Sequence, residues 1–167
     1  MRLISEIGTN TVRLSHYPHA QGVYDLCDEN GLVVWAEIPM LKMTSNPELM
    51  ANAHTRLTEM ILQNIHHPAI CFWGIQNEIA IFGEKPFMPD NLRELNELAH
   101  SLDPSRLTTS ANLNSVPPQS SLNHITDAQA YHVYYGWYYG AMPDHAVFLD
   151  EFHRINPTVP LEYQSTV

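Results

Sequence analysis

Short hydrophobic runs alternate with helical patterns along the whole chain. The runs predict strands at 11–14, 32–37, 69–73, 107–111, 128–134 and 159–163. Apolar residues spaced three and four apart predict helices at 21–30, 46–65, 92–102 and 144–154, and a short first helix ends at Gly8. This alternation favours a parallel sheet whose strands are joined by crossover helices.

Two fold classes satisfy this pattern, a doubly wound sheet and a (β/α)₈ barrel. Both bring the carboxyl ends of all parallel strands to one face of the sheet. A nucleotide-binding enzyme of the doubly wound class would require a glycine-rich phosphate loop after the first strand. The segment after residue 14 contains no such loop, which argues against that class.

Polar and aromatic side chains follow the predicted strands where each strand ends. They are His16, Glu37, Asn77, Glu78, Tyr134 and Glu162. The segment 72–78 ends a buried strand on an Asn-Glu pair, and carboxylates at such positions carry the chemistry of α/β barrels. The alternative for Glu78 is that it only begins the next helix or pairs with a nearby cation.

Glu78 and Glu162 end separate strands and form a candidate catalytic pair. Cleavage of a glycosidic bond needs one protonated acid for the leaving oxygen and one ionised group for the anomeric carbon. Arg13 would keep a neighbouring carboxylate ionised, or would form a purely structural ion pair. The aromatic segment 134–139, with Tyr134 and Trp137, offers flat faces to a sugar ring, or packs as an aromatic corner on the next helix.

The net charge of the chain restricts the classes of molecule that it is expected to bind. Eight basic and 18 acidic residues give a net charge of −10, which argues against nucleic acid and anionic membranes as partners.

No signal-peptide pattern is present, so the compartment stays open between cytoplasm and periplasm. Cys27 and Cys71 are predicted to be core thiols. The ten histidines lack metal-ligand spacing, and we expect no metal and no cofactor.

Four segments together resemble the catalytic domain of glycoside hydrolase family 2, which includes β-galactosidases, β-glucuronidases and β-mannosidases. Residues 10–18 resemble its Arg-x-Ser-His-Tyr-Pro strand, and residues 31–37 resemble the strand that follows. Residues 73–78 match its Asn-Glu motif, and residues 134–138 match its Tyr-Tyr-Gly-Trp-Tyr segment. The resemblance covers nearly the whole chain in the expected order.

The resemblance implies a retaining mechanism on a (β/α)₈ barrel. Glu78 would be the acid/base and Glu162 the nucleophile, with Tyr134 beside it. Asn77 would hold the sugar 2-hydroxyl, Arg13 would support the charge of the nucleophile, and His16 and Glu37 would line the sugar pocket. These roles follow from the family motifs and not from the spacing of the residues.

The chain departs from the family pattern in three ways. The segment 160–164 is shorter than the family's nucleophile motif and lacks its glycine, so a shift of register could displace Glu162. Residues 38–41 lack the Glu-x-His of magnesium-binding galactosidases, which predicts no such metal. About six of eight strands are present, so residues 1–167 are interpreted as one domain, a piece of a glycosidase barrel. Its open sheet edges would allow homo-oligomers.

The predicted function is retaining hydrolysis of terminal β-D-glycosides, with a β-galactoside as the first choice. Alternatives are β-glucuronidase or β-mannosidase specificity, and a carbohydrate-binding or structural barrel fragment without turnover. A separation of about 5–5.5 Å between the two carboxyl groups would support double displacement, and a far larger gap would support the inert alternative.

Overall fold

The computed structural model describes the backbone of residues 2–164 and the side chains of residues 2–161. The strands are β1 (Thr11–Leu14), β2 (Val33–Glu37), β3 (Ile70–Asn77), β4 (Leu107–Leu113), β5 (Ala128–His132) and β6 (Leu161–Gln164). The helices are α1 (Arg2–Glu6), α2 (Gln21–Glu29), α3 (Pro47–Asn64), α4 (Met88–Leu102) and α5 (Asp144–Ile155), with a 3₁₀ turn at Ser121–His124. No described helix has the length and apolar character needed to cross a membrane.

The six strands form one parallel sheet in the order β1-β2-β3-β4-β5-β6. A doubly wound sheet would reverse direction at a switch point, whereas the wall of a barrel follows the chain order. The strand order therefore resolves the two fold classes in favour of a partial (β/α)₈ barrel. β1 and β6 are the outer strands of this sheet, and association of copies through them stays a prediction.

The two faces of the sheet bury different side chains, because successive residues of a strand point to opposite sides. The helix-facing side carries the main core, which includes Val34, Ala36, Ile70, Trp73 and Ile75 of β2 and β3. The opposite side carries a smaller cluster of Trp35, Ala111 and Ala130, with Phe72 packed against it. This second face is the interior side of the barrel wall.

Several element boundaries differ from the sequence prediction. Helix α4 begins at Met88 and not at residue 92, because Pro89 lies in its first turn, where a missing N–H costs nothing. Strand β3 continues to Asn77, and β5 ends at His132, so Tyr134 lies beyond its strand. Both cysteines are free thiols; Cys27 is buried and Cys71 is half-buried.

Asp103 joins the end of α4 to the strands beside it. Its carboxylate accepts hydrogen bonds from Trp73 Nε1 (2.9 Å), Arg106 Nη1 (2.7 Å) and Ser105 Oγ (2.5 Å). Arg106 also donates to the carbonyl oxygen of His67 at 3.0 Å. Burial raises the pKa of Asp103, but the hydrogen bonds from Ser105, Arg106 and Trp73 outweigh it and hold that pKa well below its usual range.

Replacing Asp103 by asparagine is expected to lower the free energy of unfolding at pH 7 by about 2 kcal/mol, since the variant loses charge-assisted hydrogen bonds. The pKa of Asp103 is depressed in the folded state, so its contribution is present above the unfolded value of about 3.9 and fades as the pH falls below it. Urea denaturation at pH 7 and pH 3 measures this, with exposed Asp150→Asn on α5 as the control. Equal stability of wild type and Asp103→Asn at pH 7 would contradict the assignment.

Candidate active site

Arg13 is the hub of a charged cluster at the carboxyl ends of the first three strands. Its Nε and Nη2 donate to the two oxygens of Glu37 at 2.7 and 3.1 Å. Nη2 also donates to Asn77 Oδ1 at 2.7 Å. The guanidinium carbon lies 4.5 Å from the ring centroid of Trp35. One planar side chain on β1 therefore holds groups from β2 and β3, which is the geometry that the arginine fork permits.

Glu37 is completely buried, so its charge must be balanced inside the protein. Arg13 supplies two hydrogen bonds, and His16 Nδ1 lies 2.7 Å from the Oε1 atom of Glu37. The side chain of His16 is 40% exposed, whereas that of Arg13 is 13% exposed. His16 therefore meets solvent at the mouth of the sheet, while Glu37 lies beneath it and orients both partners.

Glu78 begins the turn that follows β3. Its φ of 50° lies in the left-handed region, which is uncommon for a residue with a side chain. Its backbone N–H donates to the carbonyl oxygen of Ala111 on β4 at 2.7 Å. This bond anchors the turn on the neighbouring strand, and the side chain is 18% exposed.

His132 links Glu78 to the charged cluster. Its Nδ1 lies 2.5 Å from Glu78 Oε1, and its Nε2 lies 2.6 Å from Arg13 Nη1. The hydrogen bond from His132 is the main reason why the pKa of Glu78 is lowered; burial opposes this shift, and the charges of His132, His16 and Arg13 add to it. The carboxyl group of Glu78 is therefore held in its ionised form in this arrangement.

Gly74 on β3 allows the side chains of Trp35 and Glu37 to pack closely beneath the charged cluster. A Cβ atom on Gly74 would lie 2.0 Å from Trp35 Nε1 and 2.5 Å from Glu37 Cβ, which is closer than atoms can approach. The missing side chain on β3 thus makes room for the Trp35 ring and the Glu37 side chain on β2. The Trp35 ring in turn supports the guanidinium of Arg13.

In the aromatic segment after β5, Tyr134 lies beside the charged cluster, whereas Trp137 is exposed to solvent. The ring centroid of Tyr134 lies 6.2 Å from that of His132 and 5.2 Å from that of Tyr138. Burial raises the pKa of Tyr134, and the charge of Glu78 raises it further. Trp137 is 71% exposed and contacts Tyr138 edge-on at 6.3 Å, so it lies on the outer rim. None of its described contacts joins it to the charged cluster.

The predicted partner of Glu78 lies at the end of the described chain. The backbone of Glu162 belongs to β6, in register with Ala130 of β5. The side chain of Glu162 lies outside the described residues. The predicted pairing of its carboxyl group with that of Glu78 therefore stays a prediction. The structure thus brings together Arg13, His16, Glu37, Asn77, Glu78 and Tyr134 among the residues expected from the sequence.

His132 is the member of the cluster that the sequence analysis missed. It was placed inside an apolar predicted strand, between Tyr131 and Val133. A signal was available, because residues two apart on a strand share a face and Ala130 belongs to the interior cluster. A polar residue two positions after Ala130, at the carboxyl end of the strand, is expected at the mouth of the barrel.

A second group of acids and a histidine lies at the other end of the sheet. Asp25, Asp28 and His67 are close enough together to hold a metal ion. However, Asp28 is already bonded to His67 Nδ1 at 2.6 Å and to the backbone N–H of Ala69 at 2.8 Å, and His67 Nε2 lies 3.1 Å from Gln21 Oε1. These contacts describe a structural clamp between α2 and the start of β3. The expected absence of a metal stays a prediction.

Known proteins resemble this chain in sequence and in architecture. The family model for the TIM barrel domain of glycosyl hydrolases family 2 matches residues 1–167. A β-glucuronidase of Bacteroides fragilis is 39% identical over 163 residues, which cover 93% of this chain and 23% of that protein. A β-galactosidase of Thermoanaerobacter pseudethanolicus is 42% identical over 103 residues, 62% of this chain and 13% of that protein.

A solved structure extends the comparison to three dimensions. The FMN-binding β-glucuronidase of Faecalibacterium prausnitzii L2-6 superposes with a TM-score of 0.93 and 42% identity, over 98% of this chain and 26% of that one. The chain spans about a quarter of the length of these β-glucuronidases. The strand order, the polar cluster at the strand ends and the match over residues 1–167 lead to one conclusion: the chain belongs to the TIM barrel domain of glycosyl hydrolases family 2, a family of O-glycosyl hydrolases.

Proposed function

We propose that the protein hydrolyses terminal β-D-glycosides with retention of configuration, with Glu78 as acid/base and Glu162 as nucleophile. The observation that carries this proposal is the position of Glu78. Its carboxyl group lies at the carboxyl end of β3, is 18% exposed, and is hydrogen-bonded to a cluster that includes Arg13 and Asn77. Family 2 membership supplies the reaction class.

The two glutamates would act in two steps. In the first step, Glu78 gives a proton to the glycosidic oxygen while the carboxylate of Glu162 attacks the anomeric carbon, and the aglycone leaves as an alcohol. In the second step, the carboxylate of Glu78 takes a proton from water, and the resulting hydroxide oxygen releases the sugar from Glu162. Glu78 therefore has to be an acid once and a base once in each cycle.

The electrostatics of the cluster support the base role directly. Hydrogen bonding to His132 lowers the pKa of Glu78, which favours the carboxylate that the second step needs. For the first step, the ionised Glu162 would raise the pKa of Glu78 by like-charge repulsion. Formation of the covalent glycosyl intermediate would remove that charge and restore the lowered pKa.

Asn77 is suited to bind a sugar hydroxyl. Its Oδ1 accepts a hydrogen bond from Arg13 at 2.7 Å, so the amide N–H₂ group is directed away from the guanidinium. An N–H donor beside Glu78 fits the 2-hydroxyl next to the reacting carbon. Arg13 would also support the charge of Glu162, with Glu37 and His16 holding the arginine and lining the pocket.

The aromatic segment would bind the sugar and its aglycone at two depths. Tyr134 lies close enough to Glu78 for the charge of that carboxylate to raise its pKa, which suits a hydroxyl donor beside the nucleophile. Trp137, exposed on the rim, offers a flat apolar face to a ring that projects from the pocket.

For the sugar, the comparisons favour a β-D-glucuronide as the first candidate. The matches to the β-glucuronidases of B. fragilis and F. prausnitzii cover 93% and 98% of this chain. A β-galactoside, the first choice from the sequence, is the second candidate, because the T. pseudethanolicus β-galactosidase is 42% identical over a shorter segment. No observation favours a β-mannoside, which the sequence analysis left open.

We also propose that residues 1–167 act as one domain that contributes six strands to the catalytic barrel. A (β/α)₈ barrel closes with eight strands. A six-stranded sheet leaves one wall of a sugar pocket open, so we expect these 167 residues alone to turn over substrate weakly or not at all.

The experiment that tests the function uses the full-length gene product. It is incubated with the 4-nitrophenyl β-D-glucuronide, β-D-galactoside and β-D-mannoside, and the first sugar released is followed by proton NMR. The account predicts turnover of the glucuronide or the galactoside, with the β-anomer formed first and the α-anomer appearing later by mutarotation. The Glu78→Gln protein, purified in parallel, controls for host glycosidases. The α-anomer as first product, or no turnover of any glycoside, would refute the proposal.

A further inference from the structure

We infer that His132 is a positioning residue for the proposed reaction: its ring connects Arg13 to Glu78 Oε1, and so leaves Glu78 Oε2 as the atom that exchanges the proton. This inference rests on the proposed function of Glu78. Four observations support it: the two hydrogen-bond distances, the burial of the ring, its place on a strand, and the charges around it.

The contacts of His132 determine its tautomer. A guanidinium group has only donors, so the Nε2 atom that lies 2.6 Å from Arg13 Nη1 must be the acceptor. The ring proton is then on Nδ1, which donates to Glu78 Oε1 at 2.5 Å. His132 therefore donates to Glu78 through Nδ1.

The ring of His132 is held more firmly than the carboxyl group that it contacts. His132 is 6% exposed and lies in β5, in register with Leu113 of β4. Glu78 is outside its strand, on a turn with a positive φ. A strand residue thus fixes the position of a carboxylate that its own backbone would leave free to rotate.

The other charged and titratable groups near Glu78 do not replace the hydrogen bond that His132 donates to it. Arg13 and His16 face it from β1 and the loop that follows β1, but both are bonded to the carboxylate of Glu37 on β2. Tyr134 faces it from the segment after β5. The β6 residue Glu162 has its side chain outside the described residues. Among the described residues, His132 has the largest effect in lowering the pKa of Glu78.

The hydrogen bond from His132 also gives the two carboxyl oxygens of Glu78 different roles in the reaction. Oε1 accepts the Nδ1–H of His132 and stays unprotonated throughout the cycle. Oε2 carries the proton that passes to the glycosidic oxygen in the first step, and it receives the proton of the attacking water in the second. His132 keeps its own proton, so the balance of each step is unchanged.

The test compares His132→Leu with His132→Asn in the full-length gene product. Leucine removes the donor, whereas the amide nitrogen of asparagine lies near the place of Nδ1 and retains it. We expect the alkaline limb of the kcat/KM profile to move up by about one pH unit in His132→Leu, because the pKa of Glu78 rises, and to stay in place in His132→Asn. We also expect His132→Leu to lower kcat/KM more for an alkyl glycoside than for a 2,4-dinitrophenyl glycoside, which needs no acid.

An unchanged alkaline limb in His132→Leu, or an equal loss for both substrates at every pH, would overturn the inference, since either result indicates a structural role only. If His132→Leu does not fold, His132→Gln takes its place. Its amide nitrogen lies near the position of Nε2, so the limb should move in this variant as well, and an unmoved limb overturns the inference.

Azide rescue of Glu78→Ala separates this inference from the proposed function. If azide rescues Glu78→Ala but the alkaline limb of the kcat/KM profile does not move in His132→Leu, only the role of His132 is refuted. Absence of rescue refutes the role of Glu78 on which that inference depends.

Discussion

Replacement of Glu78 by alanine is expected to lower kcat/KM for alkyl β-glycosides by about 10³-fold, within the range typical of general acid–base catalysis. The physical reason is that an alkoxide is a poor leaving group and needs the proton of Glu78. A 2,4-dinitrophenolate leaves without protonation, so the first step with that substrate should be affected far less. Added azide should restore turnover by attacking the glycosyl intermediate without a base, and the product should be the β-glycosyl azide.

The control for this prediction is Glu97→Gln, which changes an exposed carboxylate on α4 and should leave both activities as in the wild type. Steady-state kinetics with the two substrates and NMR of the azide product provide the measurement. An equal loss for good and poor leaving groups, or no azide product, would show that Glu78 does not act as the acid/base.

Replacement of Arg13 by leucine is expected to lower the free energy of unfolding by about 3–5 kcal/mol, because it leaves the buried carboxylate of Glu37 without its main partner. Among the side chains that the structure describes, His16 would then be the remaining partner of that charge. Activity should be lost as well, since Asn77 and His132 lose the donor that orients them. Urea denaturation and steady-state kinetics measure the two effects.

Two further variants test the reason for this loss. Arg13→Lys retains the charge but not the planar fork, and should recover part of the stability and little of the activity. The double variant Arg13→Leu/Glu37→Leu removes both charges and should be more stable than Arg13→Leu alone, because no charge is left buried and unpaired. A double variant less stable than Arg13→Leu would contradict the account of Glu37.

Local patterns were sufficient to predict the strands and most helices, because a buried strand and an amphipathic helix each have their own period. The carboxyl ends of parallel strands meet at one face, so the sequence also predicted that residues near Arg13, Glu37 and Glu78 would come together. The choice between a barrel and a doubly wound sheet depends on which strands are neighbours. That is a property of the whole chain, and only the observed order settled it.

Other features depend on contacts between distant residues. The sequence suggested a carboxylate partner for Arg13, and the resemblance named Glu162; among the described residues the carboxylate that it binds is Glu37. The role of His132 depends on two groups that lie 119 and 54 positions away in the chain. The apolar periodicity that predicts α4 begins only at residue 92, whereas the observed helix begins at Met88, since proline is tolerated in the first turn of a helix.

The central claim is that Glu162 forms a covalent bond to the sugar while Glu78 exchanges the proton. The most direct measurement is to incubate the full-length gene product with a 2-deoxy-2-fluoro-β-glycosyl fluoride of the preferred sugar, and to locate the adduct by peptide mass spectrometry. The account predicts stoichiometric inactivation and a single ester adduct on Glu162. An adduct on another residue, or continued turnover of ordinary glycosides with no adduct formed, would contradict it.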